Sequence, residues 1–312
     1  MAYVNTKVIL DKANKEGYGV GAFNVNNLEF IHAIIEAGVE KKSPVIIQTS
    51  QGALKYAGDG DVYRGARLFV KMVREFADSV EIPVALNLDH GSKLENIMAC
   101  IQAGYSSVMI DASHSPLEEN IAITKDIVRI AHAANVSVEA ELGQLAGIED
   151  DVVAEHSVLV DPNEAKRFVE ETKVDFLAPA IGTSHGAFKF KGTAKLDFDR
   201  LKEVKELTKI PLVLHGASSV VQEMVKIAEA NGADFGGSKG VPSDILKETV
   251  KYGINKVNTD TDLRMAYIAG LREFLNNNPK EFDPRKYFAT AKEYTKKVIM
   301  DRMEVLDSVG KI

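Results

Sequence analysis

The chain has 312 residues, of which 45% are hydrophobic and 27% charged, and its formal net charge is −7. That length fits either two domains or one α/β barrel, and an acidic chain without a cluster of Lys and Arg is not expected to bind nucleic acid. Cys100 is the only cysteine, the first residues lack a signal-peptide core, and no apolar run reaches about 18 residues, so we expect a cytoplasmic protein with no membrane association.

Short apolar runs alternate with amphipathic helical patterns along the whole chain. The predicted strands cover residues 20–23, 45–49, 84–88, 107–110, 136–142, 176–181, 212–214 and 254–257. Helical patterns are predicted near residues 28–39, 62–78, 93–103, 117–134, 162, 199–208 and 220–230, and a polar loop covers 143–160.

No Gly-x-Gly-x-x-Gly follows the first strand, so the alternation predicts a closed (β/α)8 TIM barrel rather than an open dinucleotide-binding sheet. We expect a single domain over residues 1–312. Residues 261–312 form a predicted helical C-terminal extension, packed on the barrel or on a partner subunit of a homo-oligomer.

Almost every predicted strand ends at a polar residue. These residues are Asn24, Ser50, Asp89 with His90, Asp111, Glu141, His185 a few residues past its strand, His215 and Asn258. The carboxyl ends of barrel strands meet on one rim, which is where barrel enzymes have their active sites. The sequence therefore predicts that these side chains converge.

Three of the seven histidines lie at strand ends, and each is followed by glycine: His90, His185 and His215. A glycine there lets the backbone turn sharply and approach a ligand closely. Three imidazoles with an open position make a catalytic zinc site, although three unrelated exit histidines are the alternative. Of the remaining histidines, His32, His132 and His156 are interpreted as surface or packing residues. His114 follows Asp111 closely but lies in a helix-start segment, which favours a structural role and leaves a role at the site open.

The carboxylates at the same rim have two interpretations. Asp111 and Glu141 can hold a second divalent cation, or they can orient the histidines from behind. Glu139 shares a strand face with Glu141, and such an acidic pair is costly without a cation or a shared proton. Asp89 can exchange a proton with a substrate, although Asp-His-Gly is also an ordinary strand ending.

Two segments late in the chain have the composition of phosphate-binding loops. They are Gly216, Ala217, Ser218 and Ser219 after the seventh strand, and Asn258, Thr259, Asp260, Thr261 and Asp262 after the eighth. Backbone N–H groups at helix starts bind anions, and barrels commonly bind phosphate after these two strands. The alternative is that Ser and Asp there are only helix N-caps.

Together with the segment 139–143, these motifs resemble the class II, zinc-dependent fructose-1,6-bisphosphate aldolases over nearly the whole chain, from 19–24 to 282–285. The resemblance implies zinc on His90, His185 and His215, a second metal position at Asp111 and Glu141, and Asp89 as proton donor. It also implies that Glu149 moves the substrate proton. The implied substrate contacts are Asn24, Ser50, Gly186, Gly216, Ala217, Ser218, Asn258, Thr259, Asp260, Thr261 and, toward a neighbouring subunit's substrate, Arg285.

The implied activity is reversible cleavage of fructose 1,6-bisphosphate, a phosphorylated ketose, to dihydroxyacetone phosphate and glyceraldehyde 3-phosphate. In this reaction zinc polarises the ketone and stabilises the enediolate. The family also implies a monovalent cation (Na⁺ or K⁺) near the phosphate and a homodimer or homotetramer. Ala217 and the short C-terminal region resemble the shorter subgroup, which includes tagatose-bisphosphate aldolases, so the sugar stereochemistry stays open.

The sequence argues against three other functions. A lysine Schiff base is rejected because no predicted strand exit carries a lysine, Lys189 and Lys191 being on a loop. A barrel metal hydrolase would show His-x-His on its first strand, where this chain has Phe23-Asn24-Val25. A non-catalytic sugar-phosphate binder gives no reason for Asp89 beside His90.

Overall fold

The computed structural model describes residues 2–145, 147–149, 152–154, 157–184 and 196–312, with the backbone alone for 148–149 and 152–154. The strands are β1 Val20–Asn24, β2 Val45–Thr49, β3 Val84–Gly91, β4 Ser107–Ile110, β5 Ser137–Leu142, β6 Gly147–Glu149, β7 Val152–Ala154, β8 Phe176–Pro179, β9 Leu212–Leu214 and β10 Ile254–Thr259. The helices are α1 Thr6–Glu16, α2 Leu28–Lys41, α3 Gln51–Ala57, α4 Val62–Ala77, α5 Leu94–Ala103, α6 Leu117–Ala133, α7 Pro162–Thr172, α8 Phe198–Thr208, α9 Gln222–Ala230, α10 Ser243–Lys251, α11 Thr261–Asn277 and α12 Pro284–Val305.

Eight of these strands close into a parallel barrel in the order β1-β10-β9-β8-β5-β4-β3-β2, so the predicted TIM barrel is confirmed. The remaining two, β6 and β7, pair antiparallel as a separate hairpin. This hairpin corrects the prediction of a polar loop over 143–160, because short strands of this kind carry little periodic signal. Among the described helices, none is long and apolar enough to cross a membrane.

The first helix closes the amino-terminal end of the barrel. Residues Ile9, Leu10 and Ala13 of α1 belong to one buried cluster with Val20, Ala22 and other inward residues of the strands. The helix begins at its cap Asn5, whose side chain accepts the N–H of Lys7. The bottom of the barrel is therefore apolar and filled, which leaves the carboxyl ends of the strands as the polar end.

Side chains alternate along each strand between the interior of the barrel and the surrounding helices. Near the carboxyl ends, the interior side chains are polar and buried: Asn24, Gln48, Asn87, Asp89, Glu139, Glu141, His215, Lys256 and Asn258. Burying so many polar groups is costly unless they bond to one another. The fold thus places a buried polar layer directly above the apolar cluster that α1 forms with the strands.

The predicted extension over 261–312 contains α11, which directly follows the last barrel strand, and α12. These two helices pack on each other, and α12 also lies along α2, with a Lys292 to Glu36 ion pair of 2.8 Å. Arg302 of α12 reaches back to Asp262 at the start of α11, with 2.6 Å between Nη2 and Oδ2. The last helix is therefore bonded to the first turn of α11, just after β10.

Candidate active site

Asp89 and His90 leave the end of β3 on the same side, contrary to simple alternation. Their side chains form one buried group with His215, in which one atom of each lies within 4.8 Å of the others. The reason is the backbone of His90, which has a φ of 47°, in the left-handed region. For a residue with a side chain, that conformation costs about 1–2 kcal/mol, so other contacts must stabilise it.

The glycines after these histidines serve close packing of the backbone. A Cβ on Gly91 would lie 2.4 Å from the carbonyl oxygen of Met109 in β4. Gly216 has a φ of 61°, and a Cβ there would lie 2.5 Å from the carbonyl oxygen of Ser184. Both glycines therefore let neighbouring segments approach, whereas the sequence had suggested an approach to the ligand.

His185 and Gly186 lie outside the described residues, as do Lys189, Lys191 and His156. Ser184, the residue before His185, is in contact with Gly216, the residue after His215. The described chain therefore reaches the exit of β9 at Ser184.

His215 is held between two carboxylates of β5. Its Nε2 is 2.8 Å from Glu139 Oε1, and its Nδ1 is 2.9 Å from Glu141 Oε2. Glu139 also accepts a hydrogen bond of 2.8 Å from the Nζ of Lys256, and the side chains of both are fully buried. Burial acts to raise the pKa of Glu139, but the Lys256 charge and the bond to His215 lower it to about 2.

A third carboxylate holds the other imidazole. His90 Nδ1 lies 2.9 Å from Asp111 Oδ2, and Asp111 also accepts bonds from the backbone and hydroxyl of Ser113. Burial acts to lower the pKa of His90, but Asp111 and the nearby acids raise it to about 10. Burial and the Asp111 charge raise the pKa of Glu141. The pocket therefore favours a bound positive charge.

Asp89 is oriented by two amides. Its Oδ2 accepts a hydrogen bond of 2.9 Å from Asn24, and its Oδ1 accepts one of 2.9 Å from Asn258. Asn24 is in turn held by Gln48, and Asn258 by Lys256. Asn24 and Asn258, which were both predicted as substrate contacts, thus position Asp89, the proposed proton donor.

The donor set fits a divalent metal ion. A second group of potential ligands consists of His90, Asp111 and Glu141, also with atoms within 4.8 Å of one another. Imidazoles backed by carboxylates are the usual arrangement around zinc, because the carboxylate fixes the ring. The Nε2 of His215 faces Glu139, which Lys256 holds in place. The Nδ1 of His215 faces Glu141 of the second ligand group and is therefore the nitrogen that would bind a metal.

The loop after β9 is held from behind by a buried acid. Asp262 accepts the backbone N–H groups of Ser219, Val220 and Val221, the first two at 2.8 and 2.6 Å. Asp262 lies in the first turn of α11, so its carboxylate binds the N–H groups that precede α9 from another segment of the chain. Ala217 and Ser218 are buried just before these groups, beside Gly216.

Several predicted residues lie apart from the buried group. Ser50 caps α3, accepting the N–H of Ala53 at 3.2 Å. Asp260 pairs with Arg264, and Thr261 is the first residue of α11. Arg285 is the second residue of α12, with its side chain 89% exposed and bonded to Asp283. The backbone of Glu149 lies in β6, and its side chain is outside the described part.

The family model described as class II fructose-bisphosphate aldolase matches residues 4–311. The chain belongs to the class II fructose-bisphosphate aldolase family. This confirms the resemblance and makes the chain an aldolase, a carbon–carbon lyase.

Two curated relatives and one solved structure illustrate the similarity. The chain is 55% identical over 307 residues to the fructose-bisphosphate aldolase of Helicobacter pylori strain 26695, covering 97% of this chain and 98% of that one. It is 50% identical over 305 residues to the same-named protein of Thermus caldophilus, covering 97% of each. The crystal structure of fructose-bisphosphate aldolase from Campylobacter jejuni superposes with a TM-score of 0.81 at 25% identity, covering 100% of this chain and 97% of that one.

Class II aldolases are zinc-dependent and act on phosphorylated ketoses. The buried histidines and acids of this aldolase match that requirement, whereas a hydrolase or a passive binder does not account for family membership.

Sequence reasoning missed Lys256, which lies inside the barrel two residues before Asn258. Period-two alternation from Asn258 would have indicated that Lys256 shares its inward face.

Proposed function

We propose that this aldolase reversibly cleaves fructose 1,6-bisphosphate to dihydroxyacetone phosphate and glyceraldehyde 3-phosphate, with zinc held by His90, His185 and His215. The observation that carries the proposal is the buried group of Asp89, His90 and His215, backed by Asp111, Glu139 and Glu141. Zinc, when bound there, supplies a Lewis acid that polarises the ketone of the substrate.

The chain's own residues handle the protons. In cleavage, the Asp89 carboxylate takes the proton of the C4 hydroxyl as the C3–C4 bond breaks and the electron pair passes to the ketone half. Glu149 then returns a proton to C3, and it removes the same proton in condensation. The amides of Asn24 and Asn258 hold Asp89 in place for this transfer.

The phosphate of the ketone half is proposed to lie at the exits of β9 and β10. Its contacts are Gly186, Gly216, Ala217, Ser218, Asn258, Thr259, Asp260 and Thr261, with Na⁺ or K⁺ beside it. Ser50 would contact the aldehyde half. The exposed Arg285 suits a reach into a neighbouring subunit of a homodimer or homotetramer.

Asp111 and Glu141 offer carboxylates for a second divalent cation. We propose that residues 1–312 form one domain, with 261–312 as its helical extension, and that the enzyme works in the cytoplasm.

Removal of the metal tests this function. Exhaustive chelation should abolish cleavage of fructose 1,6-bisphosphate, and added zinc should restore it, because the proton-handling residues alone cannot polarise the ketone. Initial rates and bound zinc are measured on the same samples. Full activity in metal-free enzyme would rule out the zinc role.

Two comparisons sharpen the test. His215→Ala should lose zinc, whereas His132→Ala should keep zinc and activity, because His132 bonds Asp175, which lies just before β8. With equal enzyme, fructose 1,6-bisphosphate should exceed tagatose 1,6-bisphosphate in kcat/KM by at least about tenfold. The reverse preference would reassign the substrate and leave the chemistry intact.

A further inference from the structure

We propose that Gln51 is a positioning residue that holds the backbone of His90 in its left-handed conformation and so aims the imidazole at the metal. The inference rests on the proposed role of His90 as a zinc ligand. Nothing in the sequence motifs points to Gln51, which directly follows Ser50, the proposed contact for the aldehyde half of the substrate.

The contact is direct and buried. Gln51 is 7% exposed, and its Nε2 donates a hydrogen bond of 2.8 Å to the carbonyl oxygen of His90. The same nitrogen donates to Ser92 Oγ at 3.0 Å. On the other side, Asn96 of α5 donates to Gln51 Oε1, which fixes the direction of the carboxamide. The carboxamide therefore connects the start of α3, the end of β3 and α5.

The hydrogen bond from Gln51 to the His90 carbonyl lies where the regular pairing of β3 stops. The ladder between β2 and β3 ends where Thr49 pairs with Leu88, and the register between β3 and β4 shifts between Leu88 and Gly91. His90 thus lies where regular pairing stops on one side and is interrupted on the other. The Gln51 side chain continues the ladder beyond Thr49 by bonding the His90 carbonyl.

Gln51 is itself held in place. It is the first residue of α3, and the Ser50 side chain caps that helix by accepting the N–H of Ala53. The strained φ of His90 is what turns two adjacent side chains, Asp89 and His90, into one pocket. If the carbonyl is released, we expect His90 to relax and its imidazole to leave the direction of the metal.

The test compares zinc affinity with stability in the full-length enzyme. Gln51→Met keeps the volume and removes the hydrogen bond, and zinc affinity is measured by competition with a chromogenic chelator. We expect the Kd for zinc to rise about 10- to 100-fold, the usual effect of losing a group that orients a metal ligand. Ser92→Ala is the matched control, because it removes only the other bond of the same nitrogen.

The zinc Kd of Gln51→Met decides between a positioning role and a merely structural one. An unchanged zinc Kd in Gln51→Met, with only the Tm of the metal-free protein lowered, would overturn the inference. If Gln51→Met does not fold, Asn96→Ala replaces it, because that change frees the carboxamide without touching β3. His90→Ala separates the two proposals: if it binds zinc like the wild type, the ligand role fails, and otherwise a null result at Gln51 concerns Gln51 alone.

Discussion

Asp89→Asn should cleave fructose 1,6-bisphosphate about 10²- to 10⁴-fold more slowly than the wild type while keeping its zinc. Asparagine preserves the size of the side chain but cannot take up the proton of the C4 hydroxyl. Steady-state kcat measures the slower cleavage, and the zinc content of the same samples shows whether the metal is kept. We expect KM to change less than kcat, since the phosphate loops are untouched.

Asp175→Asn is the matched control for this substitution. Asp175 is also a buried aspartate, bonded at 2.8 Å to both His132 and the N–H of Val138, but it precedes β8 at the opposite end of the barrel. It should lower stability and leave kcat unchanged. Wild-type turnover in Asp89→Asn would make Asp89 a strand-end residue, and loss of zinc would make it a ligand.

The barrel could be predicted from the sequence because its strands are buried on both faces. Runs such as 45–49 and 107–110 are mostly apolar, and the structure has fully buried strands with those same bounds. Elements without such a pattern were missed. The helix α3 is only seven residues long, and α10 lies between residues 230 and 254, where no helix was predicted. Local composition is weak evidence for pieces of this length.

The convergence of the exit residues was also predictable, because parallel strands end on one rim. Alternation along a strand predicts that the adjacent side chains of Asp89 and His90 point in different directions. That prediction is wrong, because the left-handed φ of His90 places both side chains in one group. A backbone conformation of this kind at a non-glycine residue leaves no signature in a single sequence. The same holds for the contact of Gln51.

The buried position of Lys256 was not predicted from the sequence for a different reason. A lysine in a short strand pattern is usually solvent-exposed, because burying a charge is costly unless it is paired. Its partner, Glu139, lies 117 residues away in sequence. Only the closed barrel brings the two together, so their pairing becomes visible with the fold.

Lys256→Met should lower the free energy of unfolding by about 3–5 kcal/mol, as is usual when one partner of a buried ion pair is removed. The variant leaves Glu139 fully buried with the imidazole of His215 as its remaining bonded partner among the contacts described here. It also removes the donor to Asn258, which orients Asp89. Urea unfolding of the metal-free protein measures the loss, and kcat should fall with it.

The double variant Lys256→Met with Glu139→Gln separates charge from packing. Since it removes both charges, it should regain most of the lost stability, whereas a loss that persists would place the effect in packing.

The pH dependence of the stability that Glu139 contributes has a defined sign. The pKa of Glu139 is lowered to about 2 in the fold, so its contribution is present above its unfolded pKa of about 4.3 and lost as pH falls toward 2. The stability gap between Lys256→Met and the wild type should therefore narrow through that window, because protonation removes the uncompensated charge.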